Sequence, residues 1–361
     1  MSTMALPTKS SRVEGDRTLH GYLTLAALVV LVAVASLISL SSGPTGVGLG
    51  DFFVYLLGKG ELSDQDIVVL EAVRLPRTAL GLLVGAGLAV SGAMMQGLFR
   101  NPLADPGIVG VTSGAALAAV VSIVLGPTLL APIAILLGNQ FLPLMAFLGG
   151  LLNTWVLYVI ATRDGRTSTT ALILSGIAIG ALAAAVMGLL IFLADDRQLR
   201  DITFWSLGSL GGATFGRLLS ILPFIAIVMA VIPFVARGLD AIVLGDAAAF
   251  HMGVPVQRLK RIVIVAVAAA CGSTVAVAGS IGFVGIVVPH LLRLVTGPSH
   301  RFLLPASALG GGALLLIADS VARTVAAPAE LPIGVITALF GAPVFLFLLL
   351  GKGGIRMGEM P

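Results

Sequence analysis

The stretch Val73-Arg-Leu-Pro-Arg-Thr-Ala-Leu-Gly-Leu-Leu-Val-Gly-Ala-Gly-Leu-Ala-Val-Ser-Gly-Ala-Met-Met-Gln-Gly-Leu-Phe99 decides the fold. After Arg77 it carries no charge through Phe99, which is long enough for the roughly 20 residues a helix needs to cross a bilayer. It is rich in Gly and Ala. Small residues let membrane helices approach closely where lipid supplies no hydrophobic drive between them. The stretch therefore reads as a spanning helix that packs against other helices.

Similar runs recur along the whole chain. Candidate spans are 20–41, 73–99, 107–126, 140–161, 170–194, 217–236, 260–279, 284–296, 303–325 and 332–350. The eighth is short and holds Pro289, which should distort it. The apolar stretch 127–139 contains Pro127 and Pro132 and reads as a loop or re-entrant piece. With no water in the bilayer core, each backbone group must be paired within its own segment, so the runs should be helices. Composition agrees: 58% of residues are hydrophobic and 11% charged, whereas a soluble domain carries about 25% charged residues. The fold class is all-α and polytopic, with ten transmembrane helices in one domain, 20–350, between tails at 1–19 and 351–361. Lys9, Arg12 and Arg17 precede the first apolar stretch, which is longer than a signal-peptide core and reads as a retained span. The lone Cys271 can form no intramolecular disulfide, and no long basic run suggests nucleic-acid binding.

Charge orients the spans. With both termini in the cytoplasm, that side receives Lys9, Arg12, Arg17, Arg100, Arg163, Arg166, Arg237, Arg258, Lys260, Arg261, Arg293, Arg301, Lys352 and Arg356, which is 14 of 21 basic residues. The bias obeys the positive-inside rule. Among the outer seven, Arg74, Arg77 and Arg323 sit at span ends where that rule gives no reason for arginine. A weak internal echo is also present. Arg74-Leu-Pro-Arg77 and Arg258-Leu-Lys-Arg261 each precede a small-residue-rich span, and Gly107-Ile-Val-Gly-Val111 resembles Gly282-Phe-Val-Gly-Ile286. Two repeats of five spans, about 20–194 and 217–350, would enter the membrane from opposite sides, an arrangement many transporters use.

Few segments between spans carry motifs. In the loop 237–261, Asp246 could cap a short helix running to Met252, with Gly253 ending it and Pro255 blocking its continuation. An Ala-rich, nearly uncharged helix on a water-exposed face suits docking into a partner's groove. Asn101-Pro-Leu-Ala-Asp-Pro106 is a rigid turn on the same side, and Ser168, Thr169 and Thr170 begin the fifth span there. A tight loop and ordinary helix caps account for both. Asp195–Asp201 with Phe204-Trp205 forms a charged cluster on the other side, or a short interfacial helix. His20, His251, His290 and His300 show no metal-site spacing, and there is no phosphate-binding loop of the G-x-x-x-x-G-K-[ST] type. If ATP drives this protein, another chain binds it.

Taken in order, Arg74-Leu-Pro-Arg-Thr78, Gly92-Ala-Met-Met-Gln96, Asn101-Pro-Leu-Ala-Asp-Pro106, Gly282-Phe-Val-Gly-Ile-Val-Val-Pro-His290, Glu330-Leu-Pro-Ile-Gly334 and Gly341-Ala-Pro-Val-Phe345 resemble the permeases of the iron–siderophore, haem and vitamin B12 branch of ABC importers. The resemblance implies a permease homodimer in the bacterial inner membrane, two ATPase subunits holding ATP and Mg, and a periplasmic binding protein. It implies that Gly245, Asp246, Ala247, Ala248, Ala249, Phe250, His251, Met252, Gly253 and Val254 form a coupling helix docked on the ATPase. It implies that Arg74, Arg77 and Arg323 meet acidic residues of the binding protein, and that Asn101, Leu103, Thr169 and Thr170 form inner gates beside a pathway lined by span five. No catalytic residue, bound cofactor or metal is implied. Leu193–Gly212 is most similar to the haem members, so haem is the expected cargo, with ferric siderophores or vitamin B12 as alternatives. An ion-coupled secondary transporter would keep ionisable groups inside its spans, and only Asp319 lies well within one here.

Overall fold

The computed structural model describes residues 17–43, 48–57 and 63–350. The expected tails fall almost wholly outside them, as do Lys9, Arg12, Lys59, Lys352 and Arg356. The chain begins with α1 (Thr18–Ser41), α2 (Leu49–Leu57) and α3 (Asp64–Val68). A wide turn, Val69–Arg74, joins α3 to α4 (Leu75–Phe99). Here the Leu75 N–H bonds the Leu70 carbonyl five residues back. Pro76 has no N–H for Ala72, and a widened turn at that place lets the helix continue. The second span thus starts earlier than the expected 73.

Next come α5 (Val111–Leu125), α6 (Ala131–Leu137) and α7 (Phe141–Ala161). The stretch 127–139, expected as a loop or re-entrant piece, is thus partly helical. A two-stranded hairpin, β1 (Thr162–Arg163) and β2 (Arg166–Thr167), follows. Its turn residues Asp164 and Gly165 both have positive φ, 50° and 73°. Then come α8 (Thr169–Phe192), α9 (Asp196–Leu207) and α10 (Phe215–Val243). The cluster at 195–201 is the start of a true helix. The Asp195 side chain accepts from the Gln198 N–H, and the Gln198 side chain accepts from the Asp195 N–H. α10 continues well past the expected end at 236, because its sequence has no break until Leu244-Gly245. The remainder is α11 (Asp246–His251), α12 (Val256–Ala278), α13 (Val284–Thr296), α14 (His300–Val325) and α15 (Ile333–Leu350). α13 stays helical through Pro289.

Among the described residues, seven helices are long and apolar enough to cross a bilayer, and α5, α13 and α15 are shorter apolar helices. The centre is α4, which packs against α10, α12, α13 and α14. Close approach is built from glycine. A Cβ at Gly85 would strike the Gly311 carbonyl, and one at Gly92 the Gly285 carbonyl. Gly114 of α5 and Gly149 of α7 face each other in the same way. By contrast α8 buries only Leu172, Ala183 and Leu190, while Leu174, Ile177, Leu182 and Leu189 stay exposed.

The bundle has two ends. At the proximal end, where α1 starts, Tyr22 lies near Arg301, and the His300 side chain is 2.6 Å from Asp240. At the distal end, where α1 finishes, Arg323 reaches Ser39 and Ser42.

Candidate functional site

The distal end holds a buried charge network. Arg77 Nη2 lies 2.8 Å from Asp319 Oδ1, and its Nη1 and Nη2 donate to Glu330 Oε1 and Oε2, both at 2.9 Å. Arg323 Nε is 3.1 Å from Asp319 Oδ2. Its two Nη groups donate to the Ser42 carbonyl at 2.9 Å and the Ser39 carbonyl at 3.1 Å. Arg74 Nη1 donates to the Leu40 carbonyl. Asp319 is fully buried, and Arg74, Arg77 and Arg323 are at most 5% exposed. Glu330 stands at the rim, where the Arg77 hydrogen bonds hold its carboxyl below the usual carboxylate range.

The three arginines expected to face a partner thus turn inward. The reason is local. The last carbonyls of a helix have no partner within it, and a cation there is favoured by the helix dipole. Arg74 and Arg323 cap the end of α1, while Asp319 and Glu330 supply the anions that make burial of the guanidiniums tolerable. In the sequence the arginines stand out as exceptions to a charge rule, but nothing beside Arg77 marks Glu330 as its partner.

The proximal end gathers the other expected residues. α11 is preceded by Gly245 at φ 106°, and Asp246 does not cap it, contrary to expectation. Its carboxylate instead lies 2.5 Å from Lys260 Nζ. The helix ends as expected at Gly253, with φ 83°. The Gly253 N–H bonds the Phe250 carbonyl and the Val254 N–H bonds the Ala249 carbonyl. Ala249 is buried against the body, while Phe250 and Met252 are 69% and 61% exposed. Ala247, His251 and Gly253 are exposed too. Gly245 sits beside the Arg100 guanidinium, which leads into the Asn101–Pro106 turn.

In that turn Asn101 Oδ1 accepts from the Leu103 N–H at 2.9 Å, and Asp105 Oδ1 accepts from the Gly107 N–H at 2.7 Å. Burial pushes the Asp105 carboxyl up, against the pull of that N–H. The segment that follows is pressed on α8, since a Cβ at Gly176 would crowd the Ile108 carbonyl. Ser168 caps α8 by accepting from the Ala171 N–H, which leaves Thr169 half-buried and Thr170 exposed in the first turn. Asn101 and Leu103 therefore share the proximal end with Thr169 and Thr170.

The hairpin between α7 and α8 is an addition to the expected elements, although Asp164-Gly165 is the dipeptide that favours its turn. No group of three or more His, Cys, Asp or Glu able to hold a metal occurs among the described residues.

The chain is a glycine-packed bundle of helices of membrane-spanning length with a short helix presented on one end, and its relatives place it among polytopic membrane permeases. The FecCD transport family model matches residues 31–351, and the chain belongs to that family. Its relatives include the hemin transport system permease protein HmuU of Yersinia pestis, 41% identical over 93% of this chain and 98% of that one. The cobalamin import system permease protein BtuC of Halobacterium salinarum is 45% identical over 78% of this chain and 73% of its own length. An Escherichia coli vitamin B12 import permease, BtuC, is 40% identical over 91% and 95%. Among solved structures, an ABC transporter assigned to the metal-chelate type, captured facing inward, superposes with a TM-score of 0.78 at 32% identity. That match covers 91% of this chain and 98% of the other. The chain is a multi-pass permease subunit of an ABC importer, and ATP hydrolysis belongs to another subunit.

Proposed function

We propose that this permease carries haem, or a related iron chelate, from a periplasmic binding protein to the cytoplasm across the bacterial inner membrane. The observation that carries the transport reading is α11, a short helix with one buried face and an apolar surface at Phe250 and Met252. It suits a groove on an ATPase subunit. In this reading the chain crosses ten times in two inverted repeats of five, with both termini and α11 in the cytoplasm. Two copies pair around their α8 helices, whose exposed sides await cover. Two ATPase subunits, holding ATP and Mg, pull the α11 helices together. The inner gates are Asn101 with Leu103 and Thr169 with Thr170.

The binding protein docks on the distal end. Its carboxylates compete with Glu330 for Arg77 and draw on the charge of Arg74 and Arg323 beneath. Bidentate pairing gives guanidinium and carboxylate a defined geometry for that exchange.

Haem is favoured because α8 contains no charged residue from Thr169 to Phe192. A wide apolar path fits a large flat macrocycle, and the HmuU relative spans nearly the whole chain. Vitamin B12 is the second reading, supported by relatives of comparable identity. Uptake into proteoliposomes holding the assembled complex decides among them when haem, cobalamin and a ferric siderophore are offered in turn. Accumulation of haem alone is the expected result, and accumulation of either other cargo without haem overturns the assignment.

A further inference from the structure

We propose that Lys260 links the docking helix α11 to the gate-bearing start of α8, so that movement of one is delivered to the other. Lys260 lies in the second turn of α12 and is 3% exposed. Its ammonium donates to Asp246 Oδ2, on the first residue of α11, at 2.5 Å. The same ammonium donates to the Thr167 carbonyl at 3.2 Å. Thr167 is the last residue of β2 and stands two positions before Thr169. Its N–H donates to Gln257 Oε1 at 2.9 Å, one turn earlier on α12. Both backbone polar groups of Thr167 are thus held by side chains of one helix.

The hairpin is braced from within and tied to α8. Thr162 and Thr167 hydroxyls are 3.0 Å apart, and the Ser168 N–H bonds the Ala161 carbonyl at 3.0 Å. Ser168 itself caps α8. Among the described residues, the side-chain hydrogen bonds joining α11 to the hairpin run through Lys260. Asp246 is 46% exposed but the ammonium is buried, so parting the pair would leave a desolvated cation with the Thr167 carbonyl and no counter-ion. Displacement of Asp246 therefore draws Lys260, and Lys260 draws the strand that launches α8.

This inference rests on the docking assignment of α11, and the test separates the two. The permease carries Cys271→Ala and Thr170→Cys, is assembled with its ATPase subunits, and is labelled with a fluorescent maleimide, with and without ATP and vanadate. No cargo is needed. Nucleotide should change the labelling rate in this background. Lys260→Met should reduce that change about fivefold or more, within the range of ordinary coupling energies, while the ATPase still copurifies and turns over. Gln257→Leu, a milder change, should reduce it less, and exchanging the pair as Asp246→Lys with Lys260→Asp should restore part of it. An unaltered nucleotide response in Lys260→Met overturns the proposal. So does a loss of response that only parallels loss of ATPase binding, since that is mere structural support. Phe250→Asp serves as the docking control. If it leaves ATPase binding intact, the docking assignment falls. If it abolishes binding while Lys260→Met responds normally, only the Lys260 link falls.

Discussion

Arg77 and Asp319, 242 residues apart in sequence, meet through Nη2 and Oδ1 at 2.8 Å and fasten α4 to α14. The same carboxylate also holds Arg323, so a single anion serves two buried cations. Asp319→Asn should destabilise the solubilised permease by about 3–5 kcal/mol, the penalty for removing one partner of a buried pair. Thermal unfolding followed by helical circular dichroism or a thiol-reactive dye would check this. A melting curve unchanged from the parent would mean that the network is dispensable.

Glu330 gives the distal end an acid limit. Its carboxyl titrates below the usual range of about 4.3 because Arg77 donates to it. A depressed acid binds its proton less readily folded than unfolded, so its contribution is fully present above the unfolded value. It disappears as pH falls through the lower folded value. Glu330→Gln should flatten stability against pH on this acidic limb and leave the neutral region's pH dependence unchanged. Melting of parent and variant between about pH 6 and pH 3 tests it.

The same substitution bears on docking. If a binding protein's carboxylates replace Glu330 on Arg77, Glu330→Gln removes the competitor and should tighten the complex severalfold, with a steeper dependence on salt. Arg77→Glu should weaken it. Surface plasmon resonance at low and moderate salt distinguishes these outcomes. Equal affinities in all three forms would exclude Arg77 from the interface.

The glycine contacts predict a sharp positional contrast. Gly92 meets the Gly285 carbonyl, whereas nothing lies near Gly180. Gly92→Ala should lose about 1–3 kcal/mol through overpacking. Gly180→Ala should be neutral or slightly stabilising in the isolated permease, since Ala favours a helix interior. Unfolding of the two variants side by side is sufficient.

Much of the architecture is legible in the amino-acid order alone. Uncharged runs of spanning length can satisfy their backbone in lipid only as helices, so α1, α8 and α14 follow from hydropathy with small boundary errors. Gly253 and Pro255 mark the end of α11 because one tolerates positive φ and the other cannot continue a helix. Long-range pairing sets the features that hydropathy misses. Arg74, Arg77 and Arg323 stand out by their position, but apart from Asp319 beside Arg323 their partners (Leu40 for Arg74, Asp319 and Glu330 for Arg77, Ser39 and Ser42 for Arg323) lie far off in the chain. Asp246, judged by its own neighbours, reads as a cap, yet Lys260, fourteen residues on, claims its carboxylate. Arg258, Lys260 and Arg261 look like a solvent boundary and put the start of α12 at 260. That helix starts at Val256 instead, and Lys260 is drawn inside by its pairing with Asp246.

The grip on the end of α1 also sets an order of events during synthesis. The carbonyls of Ser39 and Ser42 wait for Arg323, some 281 to 284 residues later in the chain. At the usual 5–20 residues per second, a ribosome needs roughly 15 to 60 seconds to supply it. Through that interval the end of the first span can be held by the nearer Arg74, at the Leu40 carbonyl, and by the Ser39–Thr78 hydroxyl contact, while its Ser39 and Ser42 carbonyls stay unfastened. The newborn protein is therefore closed by α14, and a chain truncated before Arg323 would keep the Arg74 contact but lack the partner of the Ser39 and Ser42 carbonyls.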